Sequence, residues 1–231
     1  RLVHFERVKR IFGYLVKMDG AVIRVRTEIP EYSNLPDLQY GWSRSVYGDT
    51  SEIIPLDAPK PRGKLVRFAH YVDANLMHDV LSGKSVTDIL HFANQAPIDW
   101  YSKKRATIET TTYGSEFVAA CTCVEHAIDL RNTFRYLGAR CSYEDSNYMF
   151  WDNKSVVDSS VTPHATLNKR HTILSFHRVR QAIAAGVVKF YHILRHENPA
   201  DILSKHWGYS QIWEILRPIL FWRGDTSGCI E

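Results

Sequence analysis

Four acidic residues stand where a sheet-based fold can converge side chains on one cleft: Asp73 and Asp152 at predicted strand ends, Glu116 and Asp201 in the first turns of predicted helices. Carboxylates gathered a few ångströms apart raise one another's pKa unless cations neutralise them. Hard oxygen donors of this kind select Mg2+ or Mn2+ over zinc. Two such ions about 4 Å apart can activate a water on one side of a phosphodiester and stabilise the leaving oxygen on the other, so nucleic acid is hydrolysed without a strong protein base. Each acid also has a purely structural reading: Asp73 can close a turn, Glu116 and Asp201 suit helix starts, and Asp152 can precede a loop. Spacing alone leaves both readings open.

The elements that must position these acids follow from periodicity. Residues 65 to 72 (LVRFAHYV) read as a strand running into Asp73, and 87 to 94 and 98 to 101 as two more, separated by a turn at 95 to 97. From 112 to 137, Phe117, Ala120, Val124, Ala127, Ile128 and Phe134 recur at helical spacing, with threonines 110 to 112 as N-caps and Gly138 as the stop. Residues 148 to 151 form a short apolar run ending at Asp152, as for a strand buried on both faces. A short helix is expected from 156 to 160, a longer one from 167 to 185 ended by Gly186, and a last strand from 187 to 194. Asn198 or Pro199 then opens a helix carrying Asp201, and 211 to 222 reads as a broken helical tail interrupted at Pro218. The order β-β-β-α-β-α-α-β-α predicts an α/β chain of α+β type, a mixed sheet with helices packed on it.

At 231 residues and 45% hydrophobic, the chain has room for one substantial core and a smaller appended piece. Leu2, Phe5, Val8, Ile11, Phe12 and Leu15 already read as a helix, so the chain is expected to begin inside a longer polypeptide. Five prolines between 30 and 63 predict an extended connector rather than packed elements, with a boundary near Lys64. A formal net charge of +4 is compatible with a polyanionic partner and decides nothing alone. The four cysteines form no CxxC pair, which argues against a zinc knuckle or a disulfide framework. No apolar run approaches the roughly 20 residues that span a bilayer, so no membrane partner is expected.

Five strings carry a resemblance: YVDANLMHD (71 to 79), DWYSKKRATIETTTYGSEFVAA (99 to 120), FWDNKSVV (150 to 157), NKRHTILSFHRVRQAIAAG (168 to 186) and NPADILSK (198 to 205). In this order they resemble the ribonuclease H domain of copia-type retrotransposon polyproteins, over about 140 residues. The family's forms are a YxDAD opening, a W-x-SKKQ segment leading to an AEY helix, a DN-x-SA strand end, a KHIDIRYHFIR helix and a closing ADILTK. The resemblance implies a ribonuclease H-like fold: a five-stranded mixed sheet flanked by helices, with an N-terminal linker and helix as an appendage. It divides the chain into a polymerase-to-ribonuclease H connector remnant (1 to 64), the domain (65 to 206) and a C-terminal tail helix (207 to 231). Carried over by position, the metal ligands fall on Asp73, Glu116, Asp152 and Asp201, the acids already singled out. Asn75 replaces the second acid of the family's DAD, which is not an expected ligand. HFERVKRIFGYL (4 to 15) resembles the helix that follows the polymerase part of such polyproteins.

What the resemblance implies for function is in-line hydrolysis of the RNA strand of an RNA·DNA hybrid, with two Mg2+ or Mn2+ ions as cofactors. Asp73 and Asp152 would flank both ions, Glu116 and Asp201 one each. The partners would be the hybrid and the reverse transcriptase domain of the same polyprotein, in a cytoplasmic virus-like particle and in the nucleus. His192, ahead of Asp201, is expected as a catalytic accessory that moves protons, with His196 as the alternative and a hydrogen-bonded strand end as the structural reading. Lys103, Lys104, Lys169 and Arg170 are candidates for tracking phosphates, beside Arg105, His177, Arg178 and Arg180, and Ser115 and Asn153 for contacting the 2′-hydroxyl. Tryptophans 100, 151, 207, 213 and 222 are assigned to packing. Two rivals stay open. An integrase or transposase on the same fold is disfavoured because the last acid is Asp201 after NPA rather than a glutamate on a long helix, and a non-catalytic scaffold would keep the fold without the chemistry.

Overall fold

The structure is a computed structural model that describes residues 2–17, 22–23, 25–38, 41–141, 146–167, 172–205, 215 and 220–221. In chain order its elements are α1 (Leu2–Lys17), β1 (Val22–Ile23), β2 (Arg62–Leu65), β3 (Phe68–Asp79), β4 (Lys84–Ala93), β5 (Ala96–Lys104), α2 (Thr112–Tyr136), β6 (Ala139–Arg140), β7 (Asn147–Trp151), α3 (Lys154–Val161), α4 (Ile173–Ala184), β8 (Val188–His192) and β9 (Leu220–Phe221). Short 3-10 turns cover Trp42–Arg44, Arg195–Glu197 and Pro199–Leu203. Two compact units result, one from Arg26 to Trp207 and one made of Arg1–Val25 with Gly208–Glu231. In the second, α1 forms where the apolar spacing predicts it, and β1 pairs antiparallel with β9. Strand geometry at 220 and 221 replaces the helix expected there, and the rest of that expected tail lies outside the described residues, apart from Ile215, which is helical.

The larger unit is built on a five-stranded sheet in the order β5-β4-β3-β7-β8. β3, β4 and β5 are a continuous antiparallel meander, whereas β7 and β8 add in parallel on the other side of β3. This mixed sheet with helices between its parallel strands is the ribonuclease H-like fold that the motifs implied. The hairpin between β4 and β5 turns one residue earlier than expected: Asn94 takes a positive φ of 55° and Pro97 already pairs with Phe92. Asparagine tolerates that left-handed conformation, and its side chain is used twice, accepting from the Arg67 amide and donating to the Thr27 carbonyl.

Helix α2 starts at Thr111, whose hydroxyl accepts from the Gly114 amide at 3.1 Å, and stops at Gly138 with a φ of 77°, as the threonines and glycine predicted. Its buried face carries Ala119, Ala120, Cys123, Val124 and Ala127 against Val72, Ile89, Met149 and Trp151 of the sheet, while Phe117 packs with Val156 and Phe176 of α3 and α4. The stretch read as an extended connector is mostly irregular, yet it lies on this core. Trp42 is buried, Tyr32 packs on Tyr148 and Phe150, and Glu52 bridges Arg131 and Arg135 of α2. Side chains rather than regular elements hold it there, which is why periodicity missed it. Trp151 is buried as assigned, Trp100 instead is 60% exposed on β5, and residues 207, 213 and 222 lie outside the described residues.

Beneath α2 lies a buried histidine pair. His70 and His91 face each other across β3 and β4, their Nδ1 atoms 2.7 Å apart, and both are wholly inaccessible. Across that bond one ring donates and the other, unprotonated at Nδ1, accepts. Burial holds His70 well below the usual histidine value and lowers His91 to about 4, with His126 and, for His70, Arg131 adding to the effect and Asp99 opposing it at His91. A histidine lowered in the folded state takes up its proton on unfolding, so acid favours the unfolded chain; stability is whole above about pH 6.5 and is lost as the pH falls toward 4. His91→Phe removes one such acceptor. Between about pH 7.5 and about pH 5 the unmodified chain is expected to lose about 2 kcal/mol more than the variant, read from urea melts at the two pH values. Equal losses in the two proteins would exclude this account.

Candidate metal centre

Three acids from three distant segments meet at one end of the sheet. Asp73 lies on the central strand β3, Asp152 is the first residue after the neighbouring parallel strand β7, and Asp201 sits in the turn Pro199–Leu203. One carboxylate oxygen from each falls within 4.8 Å of the other two. The parallel pairing of Val72 with Trp151 sets Asp73 and Asp152 side by side. Asn198 sets the third: its amide donates to the Val72 carbonyl at 2.8 Å while its Oδ1 accepts from Ala200 at 3.1 Å. This wholly buried asparagine fastens the Asp201 turn to the strand that carries Asp73.

Glu116 stands beside this trio rather than in it. Contrary to the expectation of a first-turn position, it lies past the first turn of α2, which starts at Thr112; it is buried, and its Oε2 accepts from the Trp151 indole at 2.8 Å. Burial raises its pKa to about 8, with the charges of Asp73 and Asp152 adding, while hydrogen bonds from Trp151 and Asn153 pull the other way. Asp73, Asp152 and Asp201 are likewise raised, first by burial and then by one another: Asp152 acts on Asp73, Asp201 on Asp152 and Asp73 on Asp201. Lys205 opposes that rise at all three, so the set is one that positive charge stabilises. Oxygen donors clustered from buried carboxylates fit divalent Mg2+ or Mn2+.

Lys205, legible in the sequence only as part of a motif, supplies a cation here. Its ammonium lies 3.1 Å from Asp73 Oδ2 and also binds Asp201 Oδ1, one helical turn away in sequence. Burial opposes its charge, but Asp201 and Asp73 raise its pKa on balance. Arg195 Nε approaches Asp201 Oδ2 from outside at 3.9 Å.

The other candidates divide. His192 ends β8, exposed, with Nε2 3.2 Å from the Asp152 carbonyl, so it borders the centre; His196 is exposed in the following turn. Lys103 and Lys104 are exposed at the end of β5, Lys104 tied to Asp79 at 2.8 Å. Ser115 must be corrected: it is wholly buried and its hydroxyl accepts from Arg105 Nη1 at 2.9 Å, so it cannot reach a 2′-hydroxyl. Successive residues on a helix diverge by about 100°, which turns Ser115 inward beside Glu116. Arg105 itself is buried against Thr87. His177, Arg178 and Arg180 are also committed within the fold, to Tyr47, to Glu125 and to the carbonyls of Ser159, Thr162 and Pro163. Lys169 and Arg170 lie outside the described residues.

Asn153 caps α3 through Oδ1, which accepts from Val156, and it hydrogen-bonds Glu116. Asn153→Ala is therefore expected to cost about 1 kcal/mol in a urea melt. A loss below a few tenths would show that the cap is dispensable.

No family model matches the chain. It is similar to the retrovirus-related Pol polyprotein from transposon TNT 1-94 of Nicotiana tabacum, 27% identical over 135 residues, which is 58% of this chain and 10% of that one. It is also similar to the Pol polyprotein from transposon RE2 of Arabidopsis thaliana, 22% identical over 144 residues, 62% of this chain and 10% of that one. The chain thus spans about a tenth of the length of these relatives. Among solved structures it resembles the N-terminal RNase H domain of a Mycobacterium tuberculosis protein, with a TM-score of 0.45 and 11% identity, covering 66% of this chain and 97% of that domain. The relatives are retrotransposon Pol polyproteins, and the five motifs and the sheet order give the likeness to their ribonuclease H segment.

Proposed function

We propose that this chain is the ribonuclease H part of a retrotransposon Pol polyprotein and hydrolyses the RNA strand of an RNA·DNA hybrid with the help of divalent ions. The observation that carries this reading is the meeting of Asp73, Asp152 and Asp201 within 4.8 Å, drawn from three segments far apart in the chain. Structural roles for each acid taken singly do not require such a meeting.

Asp73, Asp152 and Asp201 would hold the ions, with Glu116 completing the set from α2. When bound, Mg2+ or Mn2+ supplies activation of the attacking water and charge stabilisation of the leaving oxygen. The chain's own part is to keep the carboxylates aimed: the Trp151 indole fixes Glu116, and Asn198 fixes the Asp201 turn. His192 directs Nε2 at the Asp152 carbonyl, which leaves Nδ1 to carry a proton at the rim. Lys103 and Lys104, exposed on β5, offer positive charge to the phosphates of the hybrid. The reverse transcriptase part of the same polyprotein would be the tethered partner that presents it.

The test is incubation with an RNA·DNA hybrid, duplex DNA and duplex RNA in Mg2+, with Asp73→Asn as control. Cleavage confined to the hybrid's RNA, and lost in the control, is expected. Cutting or joining of duplex DNA would instead support an integrase-type enzyme on this fold. Binding of the hybrid without cleavage, also in a longer chain that includes the polymerase, would make the chain a scaffold.

A further inference from the structure

One carboxylate near the centre is used by none of these roles. Asp88 on β4 lies directly opposite Asp73 on β3, and directly opposed residues project from the same face of a sheet with Cβ atoms roughly 5 Å apart. It is wholly buried, yet outside the cluster formed by the three acids. The hydroxyls of Ser102 and Ser204 act on it from close by, but neither of its oxygens completes a hydrogen bond in good geometry among the described residues. A buried carboxylate without such bonds is costly unless a positive charge can reach it. Two basic side chains act on Asp88, first the exposed His78 and then Lys205, which follows Ser204 directly in the chain.

Lys205 therefore stands between two anionic stations. At the first, its ammonium rests on Asp73 and Asp201, two of the acids that would hold a divalent ion. A second cation of double charge cannot take the same oxygens while the ammonium is there, because both compete for the same lone pairs and repel each other. At the second station, Asp88 offers a buried negative charge beside Asp73. Lysine suits such a transfer: it is a compact point charge on a flexible four-carbon stem.

We propose that Lys205 is a resident counter-cation of this site, which neutralises Asp73 and Asp201 until a divalent ion displaces it, and that Asp88 receives the displaced ammonium. This rests on the reading of Asp73, Asp152 and Asp201 as a metal centre. The lysine then sets the divalent concentration at which the centre fills.

Mn2+ titration of the whole chain by calorimetry tests this without reference to catalysis. Lys205→Met is expected to bind Mn2+ about 10-fold more tightly than the unmodified chain, a gain of about 1.4 kcal/mol. Lys205→Arg keeps the charge and is expected to stay close to the unmodified affinity. Asp88→Asn is expected to weaken Mn2+ binding when Lys205 is present and to do so less in the Lys205→Met background, because the acceptor matters only while there is an ammonium to receive. Lys205→Gln, checked with the rest by circular dichroism, gives the same comparison should the methionine variant not fold. Equal or weaker Mn2+ binding by both neutral variants overturns the lysine's role and leaves the metal centre standing. Strictly additive effects of the two substitutions remove Asp88 as the receiving group. Absence of Mn2+ binding in every protein overturns the inference and the metal centre together.

Discussion

Asp152→Asn is expected to lower the rate of hybrid cleavage about 1,000-fold, roughly 4 kcal/mol of transition-state stabilisation, while leaving the fold intact. The substitution keeps the shape of the side chain and removes one charged oxygen donor from a trio that meets within 4.8 Å. Its effect on stability should run opposite to its effect on rate. Burial and the charge of Asp201 both raise the Asp152 pKa, so the ionised carboxylate is a strained guest when no divalent ion is supplied. A neutral amide relieves that repulsion. In chelator, therefore, the variant should melt at a temperature equal to or above that of the unmodified chain. Cleavage rates from a labelled hybrid, together with melts in chelator, check both halves. Unchanged cleavage would remove Asp152 from the chemistry, and a large fall in melting temperature would make its role structural.

The second large effect is expected far from the acids. Glu52→Ala should destabilise the domain by about 3 kcal/mol, the cost of leaving buried charge without its partner. The Glu52 carboxylate accepts from both terminal nitrogens of Arg135, at 2.6 and 2.8 Å, and lies 3.1 Å from Arg131 Nε. Both guanidiniums are almost fully buried, at 2% and 3% exposure, so water cannot replace the lost carboxylate. Urea denaturation gives the number directly. A loss below about 1 kcal/mol would mean that the pair is screened like a surface salt bridge, where such small values are usual.

The acids were legible because divalent-ion chemistry admits few side chains, and Asp152 and Asp201 do stand at a strand end and a turn start; Asp73 does not, since β3 runs on to Asp79, and Glu116 lies past the first turn of α2. Thr111 and Gly138 were legible for a similar reason: an N-cap needs a short oxygen-bearing side chain, and a positive φ favours glycine. The groups that aim and neutralise the acids were not. Asn198 meets the Val72 carbonyl 126 residues away, and read along the chain it is only a helix opener. Asp88 becomes a neighbour of Asp73 through strand register, which alternation alone does not fix to the residue. Ser115 misled for the opposite reason, since adjacency to Glu116 along a helix suggested a shared face that the helical turn denies it. The basic run containing His177, Arg178 and Arg180 could serve nucleic acid or the fold; which carbonyls, rings and carboxylates surround it is decided by tertiary packing.

The irregular segment on the core constrains the order in which the chain can mature on the ribosome. Tyr47 emerges early, but Arg180, whose guanidinium bonds to it and stacks over Trp42, lies 133 residues behind. At translation speeds of about 5 to 20 residues per second, that interval is on the order of ten seconds. Throughout it, Trp42 has no α4 to rest against, so a part of the domain made early waits for its cover until most of the sheet has been synthesised, open meanwhile to chaperones or to misassociation.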